Sequence, residues 1–355
     1  MPVQSTMNRR AFERRSFLSL VGGAGLALAG CAGANRTVSA ASPATALPSG
    51  APPPGTRLAI ASRPTQLQLA GSGLGHRLTF TVAQWPNLGA GPDIIQGFRA
   101  HSIDLADNAG IPPLQAAAIG VANRIVAVQV RNRPLYRFAT APGSRIASAG
   151  DFAGKRIAFS QGQAQGVVVL RALKERGMSV KDVTLVALPS TQFLTALQSR
   201  QVDVAPLGEP TLTKYLDQYA KDGARAVRTD VLDLLNVLWA PTDVLADPAK
   251  AAAVRDFVPL WAKGAVWAWE HEQAWIDAYY VKDQGVTAAD GKRIVSSLGK
   301  PVFPVSWTKA VAWEEETSAL LTAGGFIPKT DAGALFDHRF EHLAAAAVPA
   351  TYREA

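Results

Sequence analysis

The sequence predicts an α/β protein with two lobes, in which parallel sheets are flanked by helices and the chain crosses between the lobes twice. Short apolar stretches alternate with helical patterns through most of the chain, as is typical of parallel sheets covered by helices. Glycine-containing turns separate several of these strands from the helix that follows. The roughly 300 residues after the N-terminal segments exceed what one hydrophobic core usually organises.

The first 30 residues have the pattern of an export signal. Residues 14–18 (RRSFL) match the twin-arginine pattern R-R-x-F-L, and an apolar run follows that is too short to span a bilayer. The run ends in Leu28-Ala29-Gly30-Cys31, which resembles the lipobox of bacterial lipoproteins. We therefore expect a signal peptide over residues 1–30 and a palmitate-bearing lipid anchor on Cys31. A plain secretory signal with a chance cysteine is the alternative, and the general export route stays open.

Cys31 is the only cysteine of the chain. Once it carries lipid, the protein has no thiol for a disulfide, a thiolate metal site or a cysteine nucleophile. Residues 31–55 are rich in Ala, Ser, Pro and Gly, which predicts a flexible linker. The formal net charge is +8, of which +3 lies in residues 1–30. No stripe interleaves basic with aromatic residues, so nucleic-acid binding is not expected.

The body begins with a predicted strand at 57–62 and another at 79–84. Gly89-Ala90-Gly91-Pro92 then predicts a turn into a helix, because proline fits the first helical position. A third strand at 103–108 leads through Gly110 into a second helix. Both helices start where a strand ends, so their unpaired N–H groups favour an anion or a polar oxygen. Ligands of open α/β sheets bind at that edge.

A second βα series follows the first. Residues 131–141 and the region near 233–240 are the expected crossings between lobes. Ser190 is a candidate N-cap, since its hydroxyl suits that position. After residue 248 the pattern is mostly helical, and its tryptophans are expected in the core rather than around a ligand. Predicted strands of this series and its flanks lie at 124–130, 156–160, 183–188 and 202–207.

Several segments in a fixed order resemble one protein family, the periplasmic binding proteins of ABC importers for aliphatic sulfonates, taurine and nitrate. The resemblance covers most of the folded body and rests on order and spacing more than on any single motif. Its segments are WPNLGAGPD (85–93), SIDL (102–105), GIPP (110–113), PGSRI (142–146), DFAGKRIA (151–158), VDVA (202–205), Glu209-Pro210 and GFIP (325–328).

The resemblance implies a type II-like, two-lobed binding protein with its ligand between the lobes. It implies a first lobe from 56–137 and 237–355 and a second lobe from 138–236. It also implies an exported monomer, in the periplasm or on the outer face of the cytoplasmic membrane, that serves an ABC permease and its ATPase. With the lipobox, contact with the membrane through a lipid anchor is expected. No cofactor and no nucleic-acid partner are implied.

Carried over by position, the resemblance implies ligand contacts from both lobes. Helix N–H groups and amides there suit sulfonate or carboxylate oxygens. Glu209 either receives an amine or caps its helix, and Trp239 is expected to form an apolar wall. The expected ligand-binding residues are Asn108, Ala109, Gly110, Ile111, Gln161, Gly162, Gln163, Glu209 and Trp239, with Ala164 in the same turn.

The sequence also leaves alternatives for the ligand and for the function. The turn Gly162-Gln163-Ala164 lacks the small hydroxyl residues usual in sulfonate binders, so nitrate, a thiamine-type pyrimidine or another small solute remain alternatives. An enzyme on this fold is less favoured, because a related desulfinase needs a cysteine nucleophile. The stretch 338–342 matches the zinc pattern H-x-x-E-H, but an amphipathic C-terminal helix is the preferred interpretation, and no metal is expected.

Overall fold

A computed structural model of the protein describes residues 46–354. The predicted signal peptide, Cys31 and the first part of the predicted linker lie outside the described residues. The body starts as predicted, with strands that alternate with helices. Its first elements are β1 (Arg57–Ala61), α1 (Arg63–Ser72), β2 (Thr81–Gln84), α2 (Gly91–Arg99), β3 (Leu105–Ala109), α3 (Ile111–Ala118) and β4 (Asn123–Val130).

The next part of the chain builds a second sheet with its own helices. The predicted cap at Ser190 is wrong: Pro189 takes the cap position, and Ser190 begins a 3₁₀ helix instead. The elements are β5 (Tyr136–Thr140), β6 (Arg156–Phe159), α4 (Ala164–Glu175), β7 (Thr184–Ala187), α5 (Phe193–Gln198), β8 (Val204–Gly208), α6 (Thr211–Tyr219) and β9 (Ala226–Val227).

The last third returns to the first sheet and is mainly helical, as predicted. Its longest helix, α8, continues through Pro259. Its elements are β10 (Leu235–Pro241), α7 (Thr242–Ala246), α8 (Pro248–Glu270), α9 (Glu272–Trp275), a π-helix (Ile276–Asp283), α10 (Ala288–Leu298), β11 (Phe303–Pro304), α11 (Thr308–Ala323), α12 (Leu343–Ala346) and β12 (Arg353–Glu354). Short 3₁₀ helices span Leu74–Arg77, Ala149–Phe152, Val180–Asp182, Ser190–Gln192, Ala220–Asp222, Gly333–Leu335, His338–Phe340 and Ala350–Tyr352.

Each of the two large sheets has five strands, in the orders β2-β1-β3-β10-β4 and β7-β6-β8-β5-β9. We call the part around the first sheet the first lobe and the part around the second sheet the second lobe. The α/β prediction is confirmed, with one addition. The strands that follow the crossings, β5 and β10, run antiparallel to their neighbours, so both sheets are mixed.

Burial on both faces of the sheets explains the apolar runs of the sequence. Leu58, Ile60 and Ala61 of β1 are all fully buried, as expected of a strand covered by helices on both sides. On α2, Ile94, Ile95 and Phe98 are buried as their helical spacing predicts. Residues at the carboxyl end of β3, and residues that follow β1, β6 and β8, line one common cavity. Within residues 46–354 no helix is long and apolar enough to cross a membrane.

Candidate ligand-binding cleft

A cleft of about 570 Å³ lies between the lobes and is lined by residues of both. This volume falls within the usual range of small-molecule sites. The first lobe contributes the ends of β1 and β3, the face of α8, and the π-helix with its neighbours. The second lobe contributes the start of α4 and the end of β8. The ligand edge predicted from the strand–helix pattern therefore lies at this cleft.

The start of α4 forms the second-lobe wall. Gly162 turns the chain with φ +77°, and Gln163 precedes the helix in an extended conformation. Ala164 and Gln165 line the cleft at the first turn, where backbone N–H groups have no partner inside the helix. The Gln163 Oε1 accepts hydrogen bonds from the Ser190 backbone N–H (3.1 Å) and from the Ser160 hydroxyl. These contacts fix the amide of Gln163, and its NH₂ group remains available as a donor.

The end of β3 forms the polar part of the first-lobe wall. Asn108 lines the cleft, and both polar atoms of its amide are buried without a hydrogen-bond partner among residues 46–354. An unsatisfied buried polar group costs on the order of 1–3 kcal/mol. A ligand oxygen or donor at this position would satisfy the amide and recover that free energy.

Asp107 precedes Asn108 and organises the wall behind it. Its Oδ2 accepts hydrogen bonds from the Ser62 hydroxyl (3.1 Å), the Thr65 hydroxyl (3.3 Å) and the Trp261 indole N–H (3.0 Å). Burial raises the pKa of Asp107, and these hydrogen bonds oppose that rise. The carboxyl group therefore holds α1 and the Trp261 ring in place.

Aromatic side chains cover much of the first-lobe side. On α8, Trp261, Ala265 and Trp269 recur every fourth residue and line the cleft. The sequence does not reveal that this face of α8 lines the cleft, because the same spacing is typical of a helix face in a core. Further along the chain the wall is continued by Trp275, Tyr279 and Tyr280, and Tyr136 lines the cleft from the start of β5.

Three of the six charged residues that line the cleft, Arg63, Arg131 and Glu209, take part in ion pairs. Arg63 lies 2.5 Å from Asp283, and Arg131 lies 3.0 Å from Asp233. Arg133 and Lys300 also line the cleft, and neither has a carboxylate partner within ion-pair distance in the described part of the chain. Arg133 donates to the Ser296 carbonyl and Lys300 to the Thr351 carbonyl. The excess charge near the cleft is thus positive, which favours an anion.

Behind the first-lobe wall lies a buried acid. Glu314 of α11 is fully buried, and neither of its carboxylate oxygens has a hydrogen-bond partner among residues 46–354. Burial and the nearby Asp233 raise the pKa of Glu314 to about 8. Burial likewise raises the pKa of Asp233 to about 6, against the opposing charges of Arg131 and Arg171.

Parts of this chain are similar in sequence to known proteins. Residues 113–274 match the sequence model of the NMT1/THI5-like family. An Escherichia coli (strain K12) protein described as an aliphatic sulfonates-binding protein is 29% identical over 126 residues, 36% of this chain and 40% of that relative. The sequence match therefore spans well under half of that protein.

Solved structures cover more of the chain. The alkanesulfonate-binding protein SsuA of Xanthomonas axonopodis pv. citri, bound to MOPS, aligns with a TM-score of 0.69 at 22% identity, over 86% of this chain and 100% of its own. The periplasmic aliphatic sulphonate binding protein SsuA of Escherichia coli aligns with a TM-score of 0.63 at 20% identity, over 80% of this chain and 91% of its own. This chain has the periplasmic binding protein fold. The resemblance predicted from the sequence is confirmed.

The same fold also occurs in an enzyme. The desulfurization enzyme DSZB aligns with a TM-score of 0.55 at 15% identity, over 82% of this chain and 98% of its own. Binding-protein architecture alone therefore does not exclude catalysis.

Of the expected ligand-binding residues, the structure places Asn108, Ala109, Gln163 and Glu209 at the cleft, with Ala164 beside them. The other expected residues do not line it. Ile111 is buried in the core, and Gln161 is exposed and donates to the Phe326 carbonyl. Gly110 packs against Glu314, and Gly162 packs against Gln115.

The assignment of Trp239 to the cleft needs correction. Trp239 is fully buried and packs edge-on against Phe98, with ring centroids 4.6 Å apart. The reason is strand direction. Because β10 runs antiparallel to β3, its amino end meets the cleft, and Asn236 lies there opposite Ala109. Trp239 lies three residues deeper, opposite Ala106 in the middle of β3.

Glu209 caps its helix, one of the two roles considered for it. Its Oε2 accepts from the backbone N–H (3.1 Å) and the hydroxyl (2.6 Å) of Thr213 on α6. Its Oε1 lies 3.1 Å from the Arg293 guanidinium of α10. An ion pair therefore joins the second lobe to the first beside the cleft.

The H-x-x-E-H stretch folds as a 3₁₀ helix (His338–Phe340) and a turn, and the predicted longer helix is wrong. His338 Nδ1 lies 2.8 Å from the Glu341 Oε2, and Glu341 also accepts from the Trp307 backbone N–H (2.5 Å), so it secures the start of α11. No group of three or more His, Cys, Asp and Glu side chains able to hold a metal ion occurs in the part of the chain described by the structure.

Proposed function

We propose that this chain is the solute-binding protein of an ABC importer, which captures a small organic anion of the aliphatic sulfonate type between its lobes and delivers it to a permease. The observation that carries the proposal is the buried amide of Asn108, which has no hydrogen-bond partner among residues 46–354 and lies at the same cleft as the start of α4. A side-chain amide from one lobe and helix N–H groups from the other suit the oxygens of an anion. Arg133 and Lys300 add positive charge at the cleft.

The finer parts of the proposal follow from the sequence. The twin-arginine and lipobox patterns support export, lipidation of Cys31 and a position in the periplasm or on the outer face of the cytoplasmic membrane. The named sulfonate-binding relatives support the ligand class and the partnership with a permease and its ATPase. We propose binding rather than catalysis, because residues 46–354 contain no cysteine and Glu341 of the H-x-x-E-H stretch caps a helix.

The first test is a thermal-shift screen of the full-length chain against alkanesulfonates, taurine, nitrate, arylsulfonates and a thiamine-type pyrimidine. A ligand at a hundred times its Kd should stabilise the fold by about 2.7 kcal/mol, which raises the Tm by several degrees. We expect sulfonates to produce the shift. A shift with only nitrate or only the pyrimidine would replace the ligand assignment, and no shift with any compound would contradict the proposal.

The site itself is tested by Asn108→Ala, with Asn132→Ala as the matched control on an exposed position outside the cleft. Loss of a hydrogen bond to a charged ligand should weaken binding by about 10- to 100-fold, since such bonds contribute roughly 1.5–3 kcal/mol. The Tm without ligand should not fall, because the amide has no partner to lose among the described residues. Equal affinities of the two variants in titration calorimetry would remove Asn108 from the site.

A further inference from the structure

The cleft is larger than a short-chain anion needs. An aminosulfonate of seven heavy atoms occupies on the order of 150 Å³, if each heavy atom takes somewhat less than the volume of a water molecule. The cleft measures about 570 Å³, which is ample for a ligand with a ring system. A ligand with a ring system would therefore fill more of the cleft than a short-chain anion does.

The aromatic wall supplies ring faces in fixed positions. Trp275 and Tyr279 are stacked, with centroids 4.7 Å apart and planes 7° from parallel. Tyr280 meets both rings edge-on, at 6.5 Å from Trp275 and 5.0 Å from Tyr279. The stacked and edge-on arrangements are those that aromatic rings prefer. Tyr279 and Trp269 are only half-buried and line the cleft, so parts of both rings remain available for contact.

The backbone beneath these rings is unusual. Tyr279 and Tyr280 are consecutive, yet both line the cleft, and they lie in the π-helix over Ile276–Asp283. Residues next to each other on an α-helix do not share a face. The wider π-helix, which is frequent at functional sites, brings both rings to the same wall.

The chemistry of the wall is neutral. Burial raises the pKa of the Tyr279 hydroxyl to about 12, so this side chain is uncharged at neutral pH. Among the described residues the carboxylates around the wall already have partners: Asp283 with Arg63, Glu209 with Arg293, and Asp107 with the Trp261 indole and two hydroxyls. An ammonium group on the ligand would find each of these carboxylates already hydrogen-bonded or ion-paired, whereas an uncharged ring would find ring faces.

We propose that the cleft selects anions that carry an aromatic ring, such as arylsulfonates, over short alkanesulfonates. This inference rests on the proposed function, since it assigns the ligand body of the same site. The start of α4 and Asn108 take the anionic group, and Trp269 and Tyr279 take the ring. Aromatic stacking adds roughly 0.5–1.5 kcal/mol beyond the burial of area, which corresponds to about a tenfold gain at its upper end.

The test is titration calorimetry of the full-length chain with 2-naphthalenesulfonate, hexanesulfonate, ethanesulfonate and taurine. We expect naphthalenesulfonate to bind about tenfold more tightly than hexanesulfonate, which has apolar area but no ring, and more than 100-fold more tightly than ethanesulfonate. Equal binding of hexanesulfonate overturns the aromatic selectivity. Tighter binding of ethanesulfonate or taurine overturns it too, but leaves the proposed function standing. Binding of none of the four removes both.

Substitutions in the aromatic wall test which side chains give the preference for a ring. Tyr279→Leu and Trp269→Leu should each weaken naphthalenesulfonate binding by about tenfold and weaken ethanesulfonate binding much less. The matched control is Trp267→Leu, on the same helix as Trp269 but stacked on His271 outside the cleft. Equal losses for both ligands in the Tyr279 and Trp269 variants would show a structural role and contradict the assignment. The ligand series on the unaltered chain decides the proposal even if a variant fails to fold.

Discussion

Two strand-to-helix turns face the cleft from opposite lobes, and they differ in chemistry. One leads from β3 into α3, and the other leads from β6 into α4. By pattern alone both should offer helix N–H groups to an anion. In α3, however, Pro112 and Pro113 occupy the first turn and remove two of these donors. In α4 no proline occurs, and Ala164 and Gln165 line the cleft.

The turn from β3 into α3 also has the Glu314 side chain packed directly behind it. A Cβ on Gly110 would lie 2.5 Å from the Glu314 Oε1, so this glycine serves close packing against a buried acid. At the second-lobe turn, a Cβ on Gly162 would lie 2.6 Å from the Cγ of Gln115, a residue of the other lobe. Gly110 thus allows close packing within the first lobe, whereas Gly162 allows close packing between the two lobes. The second lobe therefore supplies backbone donors to the cleft, while the first lobe supplies the Asn108 amide and the aromatic wall.

The largest effect is expected from Gly162→Ala, which should break this fit between lobes. The substitution strains a residue at φ +77° and forces Gln115 away, so the two lobes should fit together less closely at the cleft and binding should weaken more than tenfold. The matched control is Gly154→Ala, since Gly154 has φ +71° and no atom within 4 Å of an added Cβ. Both variants should lose about 1 kcal/mol of stability in denaturant unfolding. Similar ligand affinities in calorimetry would contradict the role of Gly162 between lobes.

The difference between the two turns also shows what sequence could predict. Glycine, proline and strand patterns located both turns, and the family resemblance, carried over by position, pointed to Asn108 and Gln163, which line the cleft. They did not reveal Glu314, because a single acid on a helix far along the chain carries no signal of its burial. They misplaced Trp239, because strand direction decides which end of β10 meets the cleft.

The aromatic wall escaped prediction for a different physical reason. The spacing of Trp261, Ala265 and Trp269 says that one face of α8 is covered, but a core and a closed cleft cover a helix equally well. Only the position of α8 in the fold separates the two. The consecutive pair Tyr279 and Tyr280 departs from the α-helical period, and this departure is the one local sign of a special wall.

A smaller effect, dependent on pH, should come from Glu314→Gln. The pKa of Glu314 is raised to about 8 from an ordinary value of 4.5, so the folded state holds its proton more tightly than the unfolded state. Its contribution to stability is therefore fully present below about pH 4.5 and is lost as the pH rises through about 8. Asp233 and Arg171, which face the acid, are unchanged by this substitution.

Calorimetric unfolding between pH 5 and pH 9 measures the effect. The Tm of the unaltered chain should fall over this range, while Glu314→Gln should fall less and exceed it by several degrees at pH 9, since about 1 kcal/mol moves the Tm of a protein of this size by roughly 2–4 °C. Glu315→Gln, on the exposed neighbouring position, should follow the unaltered chain. If Glu314→Gln also followed the unaltered chain at every pH, the acid beneath the first-lobe turn would not be the titrating group.

The smallest effect is expected from Arg293→Gln, which removes the ion pair between α10 and Glu209 and so loosens the lobes without touching either turn. About half of the Arg293 side chain is exposed, so solvent screens the pair and limits it to roughly 1 kcal/mol or less. We expect ligand dissociation in stopped-flow measurements to be up to about fivefold faster, and the difference should vanish in high salt. Lys309→Gln is the matched control, because its pair with Glu354 lies within the first lobe. A change of equal size in both variants would assign the effect to net charge, and the contact between the lobes would then play no part in retaining the ligand.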